Sequence, residues 1–211
     1  MSYNYLFKLI IIGDASVGKT ALIKRLLSEG YNGLYEPTIG VDFATTTITL
    51  ENGVVVKSHM WDTAGQESFA PIIKSYYKGT AGAILVFDVS NEESFERLDY
   101  WLKQLENNKD HANPLPIVLV GNKIDTTNRT VSRITAQRYA NKKGLMYVET
   151  SALQGININK FYRTLIVNIY NNMDARGGVG IKKNSYLEPP PSPKHRMCSG
   201  VGDVNGCCVL C

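Results

Sequence analysis

The run Gly13-Asp14-Ala15-Ser16-Val17-Gly18-Lys19-Thr20 stands between an apolar stretch at 5–12 and a segment whose Leu22, Ile23, Leu26 and Leu27 fall at helical spacing. That order leaves few options. A buried strand stops at Gly13, and the glycines let the backbone curl so that its N–H groups converge. A helix then starts with its positive N-terminal end aimed at the same point. This is a cradle for phosphate, and G-x-x-x-x-G-K-[ST] adds the Lys19 amine for β- and γ-phosphates and the Thr20 hydroxyl for Mg²⁺. The motif selects neither a base nor a reaction, since an ATPase or a kinase carries it too.

The rest of the chain alternates strand and helix. FATTTITLE (43–51) alternates in polarity and VVVKSHMW follows. Asn52-Gly53 between them signals a hairpin, because both residues accept positive φ. GAILVFDV (82–89), LPIVLVG (115–121) and LMYVE (145–149) read as further strands. Helices are expected from Ser90 or Asn91 to Asn108, over 132–143 and over 156–172. The first of these turns Phe95, Leu98, Trp101, Leu102 and Leu105 to one side. The expected architecture is α/β: a six-stranded, mostly parallel sheet with one antiparallel edge strand and helices on both faces. Ligands of such sheets bind at the carboxyl ends of the strands, where each motif here lies.

Two of those ends suit a purine. Asn122-Lys123-Ile124-Asp125 follows the strand at 115–121. One carboxylate, Asp125, can accept both N1–H and the 2-amino group of guanine, whereas adenine offers it a lone pair at N1; a site built on such bonds rejects the wrong partner by about 10⁴ or more. Asn122 can tie base and loop together, and the Lys123 stem can lie along the ring. Ser151-Ala152-Leu153, in Glu149-Thr150-Ser151-Ala152-Leu153, can offer backbone N–H groups to the guanine oxygen. Trp61-Asp62-Thr63-Ala64-Gly65-Gln66-Glu67 ends the hairpin strand. Asp62 is suited to hold the hydration shell of Mg²⁺, the Gly65 N–H to bond the γ-phosphate, and Gln66 to orient an attacking water. Thr38, in Tyr35-Glu36-Pro37-Thr38-Ile39-Gly40, can add a second hydroxyl to the cation. Loss of the γ-phosphate would release both Thr38 and Gly65.

At +4 among 211 residues, with no basic cluster, the chain is not expected to bind nucleic acid. No apolar run reaches the roughly 18 residues of a membrane span, and MSYNYLFKLIII reads as a strand rather than a signal peptide. All four cysteines, Cys198, Cys207, Cys208 and Cys211, lie in the last fourteen residues, which fits a reducing compartment rather than a disulfide framework. Gly177-Gly178, Pro189-Pro190-Pro191 and Pro193 end all periodicity, dividing the chain into a domain at 1–172 and a disordered tail at 173–211.

These motifs, in this order over 13–153, resemble those of the Ras superfamily. Ile39-Gly40-Val41-Asp42-Phe43, Trp61 to Glu67, Ser75-Tyr76-Tyr77-Lys78-Gly79 and the cysteine ending are similar to the Rab family of vesicle-trafficking GTPases. The resemblance implies a G domain, a GTP/GDP-dependent switch with Mg²⁺, and catalysis by Gln66, Lys19 and Thr38. It implies that 13–21 (Gly13 to Ala21), Tyr31, Tyr35, Thr38, Asp62, Ala64, Gly65, Gln66, Asn122, Lys123, Asp125 and Ser151 to Leu153 contact nucleotide. Thr20, Thr38 and Asp62 would hold the metal, with Tyr31 packing on guanine. Effectors would meet Ile39, Phe43, Trp61 and Tyr76. An activating protein, an exchange factor and a GDI-type escort that covers the lipid would serve a monomer on the cytoplasmic face of a membrane, with a cytosolic pool.

The ending has two readings. Cys208-Val209-Leu210-Cys211 fits C-a-a-X with an unusual terminal residue. The adjacent pair Cys207-Cys208 resembles a doubly geranylgeranylated Rab ending, which is the favoured reading. The tail carries five basic residues against three acidic ones, too few for a polybasic anchor, so two lipid chains are needed for stable attachment. Two departures from the family stand out. Ala15 takes a phosphate-loop position where many relatives have glycine, and its methyl group is expected to crowd Gln66. Pro71 is expected to delay or distort the second switch helix.

Overall fold

A computed structural model describes residues 3–27, 41–63, 76–108 and 115–174. Six strands form one sheet: β1 (Tyr5–Ile12), β2 (Val41–Thr49), β3 (Val55–Thr63), β4 (Gly82–Asp88), β5 (Ile117–Asn122) and β6 (Met146–Glu149). Their order is β2-β3-β1-β4-β5-β6. Every pairing is parallel except β2 with β3, so β2 is the antiparallel edge that the hairpin signal implies. The chain leaves β1 toward β3 on one side and β4 on the other. That makes the carboxyl end of β1, at Gly13, a point where the strand order reverses.

The hydrophobicity of the strands follows from their position. β4 is buried along its whole length, GAILVFD, because helices cover both of its faces. On one face α1 (Lys19–Leu26) and α5 (Ile158–Asp174) pack Leu22, Phe161, Leu165 and Ile169 against Leu9, Ile11, Met60, Ile84 and Val118. On the other, α2 (Glu92–Glu96), α3 (Leu98–Asn108) and α4 (Arg133–Lys143) set Leu98, Trp101, Leu105 and Ala136 against Ile10, Ile12, Leu85, Phe87 and Leu119. Ser132 caps α4 by accepting the Thr135 N–H at 3.1 Å, and Gly144 closes it in a left-handed conformation.

Three local features differ from the sequence expectation. Only Gly53 has positive φ in the hairpin, at 79°. The loop is longer than two residues: Gly53 N–H donates to the Leu50 carbonyl and Leu50 N–H to Val54, while Asn52 Oδ1 accepts from Val54 N–H. A turn with one left-handed glycine at its end needs no positive φ at Asn52. The single helix expected to reach Asn108 is broken at Arg97 (φ −79°, ψ −1°), though Asn91 does cap it by accepting from Ser94 N–H. The Arg97 and Trp101 side chains both donate to Asp14 Oδ1, at 3.0 and 2.7 Å, and the break falls where they turn toward the phosphate loop. The last helix continues to Asp174, two residues past the expected boundary. Among the described residues no helix is long and apolar enough to cross a membrane.

Candidate functional site

The loop after β1 adopts the curl its glycines allow. Gly13 and Gly18 have φ of 142° and 97°. A Cβ at Gly13 would lie 2.2 Å from the Val86 carbonyl oxygen, and one at Gly18 would lie 2.3 Å from Asn122 Nδ2. Both positions therefore need glycine for backbone conformation and for close approach. Ser16, also at positive φ (63°), and Ala15 are exposed at the crest of the loop, while Val17 is buried beneath it.

Lys19 opens α1 and is only 6 % exposed. Its amine folds back over the loop and donates to the carbonyls of Gly13 (2.9 Å) and Asp14 (2.7 Å). Burial pushes its pKa down to about 8, although the charges of Asp62 and Asp14 pull it upward. Asp14 aims its carboxylate away from the cradle, toward Arg97 and Trp101. Thr20, one residue further into α1, donates its hydroxyl to Asp62 Oδ2 at 2.5 Å. Asp62 lies at the carboxyl end of β3 and is 2 % exposed. A hydroxyl and a carboxylate in contact beside the phosphate loop form the hard-oxygen donor set that Mg²⁺ accepts through direct and water-mediated bonds. These residues fit that ion.

The loops after β5 and β6 are clipped together and to the phosphate loop. Asn122, 1 % exposed, donates through Nδ2 to the Val17 carbonyl at 2.9 Å. Its Oδ1 accepts the Thr150 hydroxyl (3.1 Å) and the Ala152 N–H (3.2 Å). Thr150 N–H donates to the Gly121 carbonyl and Ile124 N–H to the Thr150 carbonyl. Asp125 accepts the Ser151 hydroxyl at 2.5 Å on Oδ1, which fixes the carboxylate's orientation. Lys123 sits at φ 65°, and its amine pairs with Asp88 Oδ2 at 2.7 Å. Asp88 ends β4 and is steadied at Oδ1 by the Ser90 N–H and hydroxyl. Glu149 is turned aside to the Tyr147 hydroxyl and Arg129. Ala152 is buried, whereas Leu153 is 53 % exposed.

Phe43, Trp61 and Tyr76 form one half-buried aromatic row, with centroids 5.1 Å apart for the first pair and 4.8 Å for the second. Phe43 and Trp61 are directly paired across β2 and β3. His59 packs edge-on to Phe43, and the Lys8 amine stands 5.6 Å above the Trp61 ring. Burial and the neighbouring Lys57 push the His59 pKa down.

Of the candidates read from sequence, Gly13 to Ala21, Asp62, Asn122, Lys123, Asp125 and Ser151 to Leu153 gather at the carboxyl edge of the sheet. Tyr31, Tyr35, Thr38, Ile39, Ala64, Gly65, Gln66, Cys207 and Cys208 lie outside the described residues, as do Pro71 and the tail beyond 174. Three contributors were not foreseen. Asp88 had a visible signal, an acid closing an otherwise apolar strand. Thr150 had only its place in Glu149-Thr150-Ser151-Ala152. Arg25, whose guanidinium donates to the carbonyls of Ala152 (3.0 Å) and Leu153 (2.5 Å), had none.

Comparison with known proteins gives the family. Residues 8–171 match the family model described as Ras family. The Ras-related protein RABA2a of Arabidopsis thaliana is 44 % identical over 170 residues, covering 80 % of this chain and 76 % of that protein. The Ras-related protein Rab2BV of Beta vulgaris is 42 % identical over 208 residues, covering 98 % and 95 %. The Ras-related protein rab-11.1 of Caenorhabditis elegans is 38 % identical over 206 residues, covering 93 % and 96 %. With a family match over residues 8–171 and relatives of this similarity along nearly its full length, the chain belongs to the Ras family of small GTPases, within the Rab group.

Proposed function

We propose that the protein is a Rab-type switch in vesicle transport, which binds GTP and GDP with Mg²⁺, hydrolyses GTP slowly and changes the shape of its switch loops with the nucleotide. The observation that carries this reading is the joining of two chemistries in one rigid edge. Asn122 binds the phosphate loop and the base-facing loops in one buried hydrogen-bond set, and Ser151 holds the carboxylate of Asp125.

In this reading the loop N–H groups and Lys19 hold the β- and γ-phosphates. Asp125 accepts N1–H and the 2-amino group of guanine, while the Leu153 N–H faces its 6-oxygen; the Ser151 and Ala152 N–H groups, also read from sequence as donors, instead bond the Ile156 carbonyl and Asn122 Oδ1. Tyr31 packs on the base, and Ala21, Tyr35 and Ala64 line the nucleotide. Thr20, Thr38 and Asp62 would hold Mg²⁺, which would supply neutralisation of phosphate charge. Gln66 orients the water, and Gly65 and Thr38 sense the γ-phosphate. Unaided turnover is near the ~10⁻⁴ s⁻¹ typical of such sites that lack an arginine of their own. An activating protein supplies that arginine in trans, an exchange factor reloads GTP, and effectors dock on Ile39, Phe43, Trp61 and Tyr76. Geranylgeranyl groups on Cys207 and Cys208 anchor the protein to the cytoplasmic face of a membrane, and a GDI-type escort keeps a cytosolic pool.

The experiment is the substitution Asp125→Asn. An amide offers the base a donor where the carboxylate only accepts, so guanine's 2-amino group loses its partner and xanthine's 2-oxo group gains one. The expected result is a fall in GDP affinity of about 100-fold or more with a gain for xanthosine diphosphate. Equal loss for both nucleotides, or no loss, overturns the reading.

A further inference from the structure

A polar contact spanning 127 positions of sequence is made by a residue outside the phosphate and base motifs. Arg25 lies in the last turn of α1, the helix that opens with Lys19 and Thr20. Its guanidinium crosses to the loop after β6 and donates from Nε to the Ala152 carbonyl at 3.0 Å and from Nη2 to the Leu153 carbonyl at 2.5 Å. The loop packs against that fork: Gly155 sits at φ 73°, and a Cβ there would be in ordinary van der Waals contact with Arg25 Nε, at 3.4 Å.

These two carbonyls are not neutral anchor points. The Ala152 carbonyl shares a peptide group with the Leu153 N–H, the donor proposed to face the guanine oxygen. The Leu153 carbonyl shares one with the Gln154 N–H, which donates to Ser151 Oγ at 2.9 Å. The same Ser151 hydroxyl donates to Asp125 Oδ1 at 2.5 Å. A cation on the carbonyl of a peptide polarises its N–H, and bonds in series strengthen one another. One guanidinium thus stands at the head of both branches of the base-reading apparatus. One branch is the N–H edge for the 6-oxygen. The other runs through Gln154 and Ser151 to the carboxylate for N1–H and the 2-amino group.

We infer that Arg25 is a positioning residue that couples the phosphate-binding helix to the guanine-reading loop, and so sets how long a guanine nucleotide stays bound. The inference rests on the reading that the Leu153 N–H and Asp125 face guanine. Asn122 fixes that loop from the phosphate-loop side, and Arg25 fixes it from behind, through α1. Release of Arg25 frees the base side of the pocket while leaving the Lys19 and Thr20 contacts in place.

The test compares full-length wild type with Arg25→Ala and Arg25→Lys. Affinities are measured for GDP, for inosine diphosphate (which lacks the 2-amino group) and for ADP, with GDP dissociation rates and the melting temperature of each nucleotide-free protein. Loss of two charge-assisted bonds is expected to speed GDP dissociation in Arg25→Ala by about 10-fold or more. The preference for GDP over inosine diphosphate should fall in parallel. Arg25→Lys, with a single point charge in place of the fork, falls between. A purely structural role lowers the melting temperature of the variants but leaves the base preference at its wild-type value, and that result overturns the inference. Should Arg25→Ala fail to fold, Arg25→Lys decides on the same two readings. A wild type that does not separate GDP from ADP overturns the guanine reading itself, and the inference with it.

Discussion

Lys19 carries the residue-scale argument. Buried beside the phosphate loop, with its pKa brought down to about 8, it loses much of its charge just above neutral pH in the ligand-free domain. Nucleotide phosphates restore that charge by adding negative neighbours. Binding near or above this pKa therefore takes up a proton. GDP affinity should be flat below it and fall as pH rises through it, by up to about tenfold per pH unit. The ligand-free domain shows the opposite sign: the unfolded lysine, at about 10.4, still holds a proton that the folded one has released, so stability rises with pH between the two values. Calorimetry of GDP binding in buffers of different ionisation enthalpy measures the proton directly. Uptake that grows with pH across this range agrees with the account, and none at any pH contradicts it.

At the scale of elements, the site is a set of strand ends held by side chains from neighbouring loops. Asn122 does most of the holding, so Asn122→Ala should cost about 3 kcal/mol of stability by leaving the Val17 carbonyl and the Thr150 hydroxyl buried without their partner. Denaturant unfolding checks this, and a cost under about 1 kcal/mol would contradict the bracing role. The elements that could be read from sequence were those with local causes. β1, β4 and β5 were continuous apolar runs, Gly13 and Gly18 punctuated the cradle, and Ser90-Asn91 offered a cap, of which the structure uses Asn91. What sequence hid was set by tertiary contact. The break at Arg97 interrupts unbroken helical spacing, and it occurs where two side chains meet Asp14 from across the sheet. Arg25 reads as an exposed basic residue at a helix end, and only the approach of the 152–155 loop gives it a task. The aromatics Phe43, Trp61 and Tyr76 resemble core residues by composition, yet they form a half-buried row.

For the whole molecule, the sheet acts as a plate with one working edge. Helices on both faces leave the carboxyl ends of β1, β3, β4, β5 and β6 as the place where loops converge. The aromatic row on the β2–β3 side is continuous with that edge, because Trp61 precedes Asp62 on the same strand. This gives a physical route from the phosphate site to the aromatic row. Everything proposed depends on guanine being the base at that edge. The most direct measurement is displacement of a fluorescent GDP analogue from the purified protein, with Mg²⁺ present, by GDP, GTP and ADP. The account predicts displacement by the two guanine nucleotides at concentrations about 10⁴-fold or more below any effect of ADP. Displacement by ADP at similar concentrations would contradict it, since Asp125 could then not be facing the base.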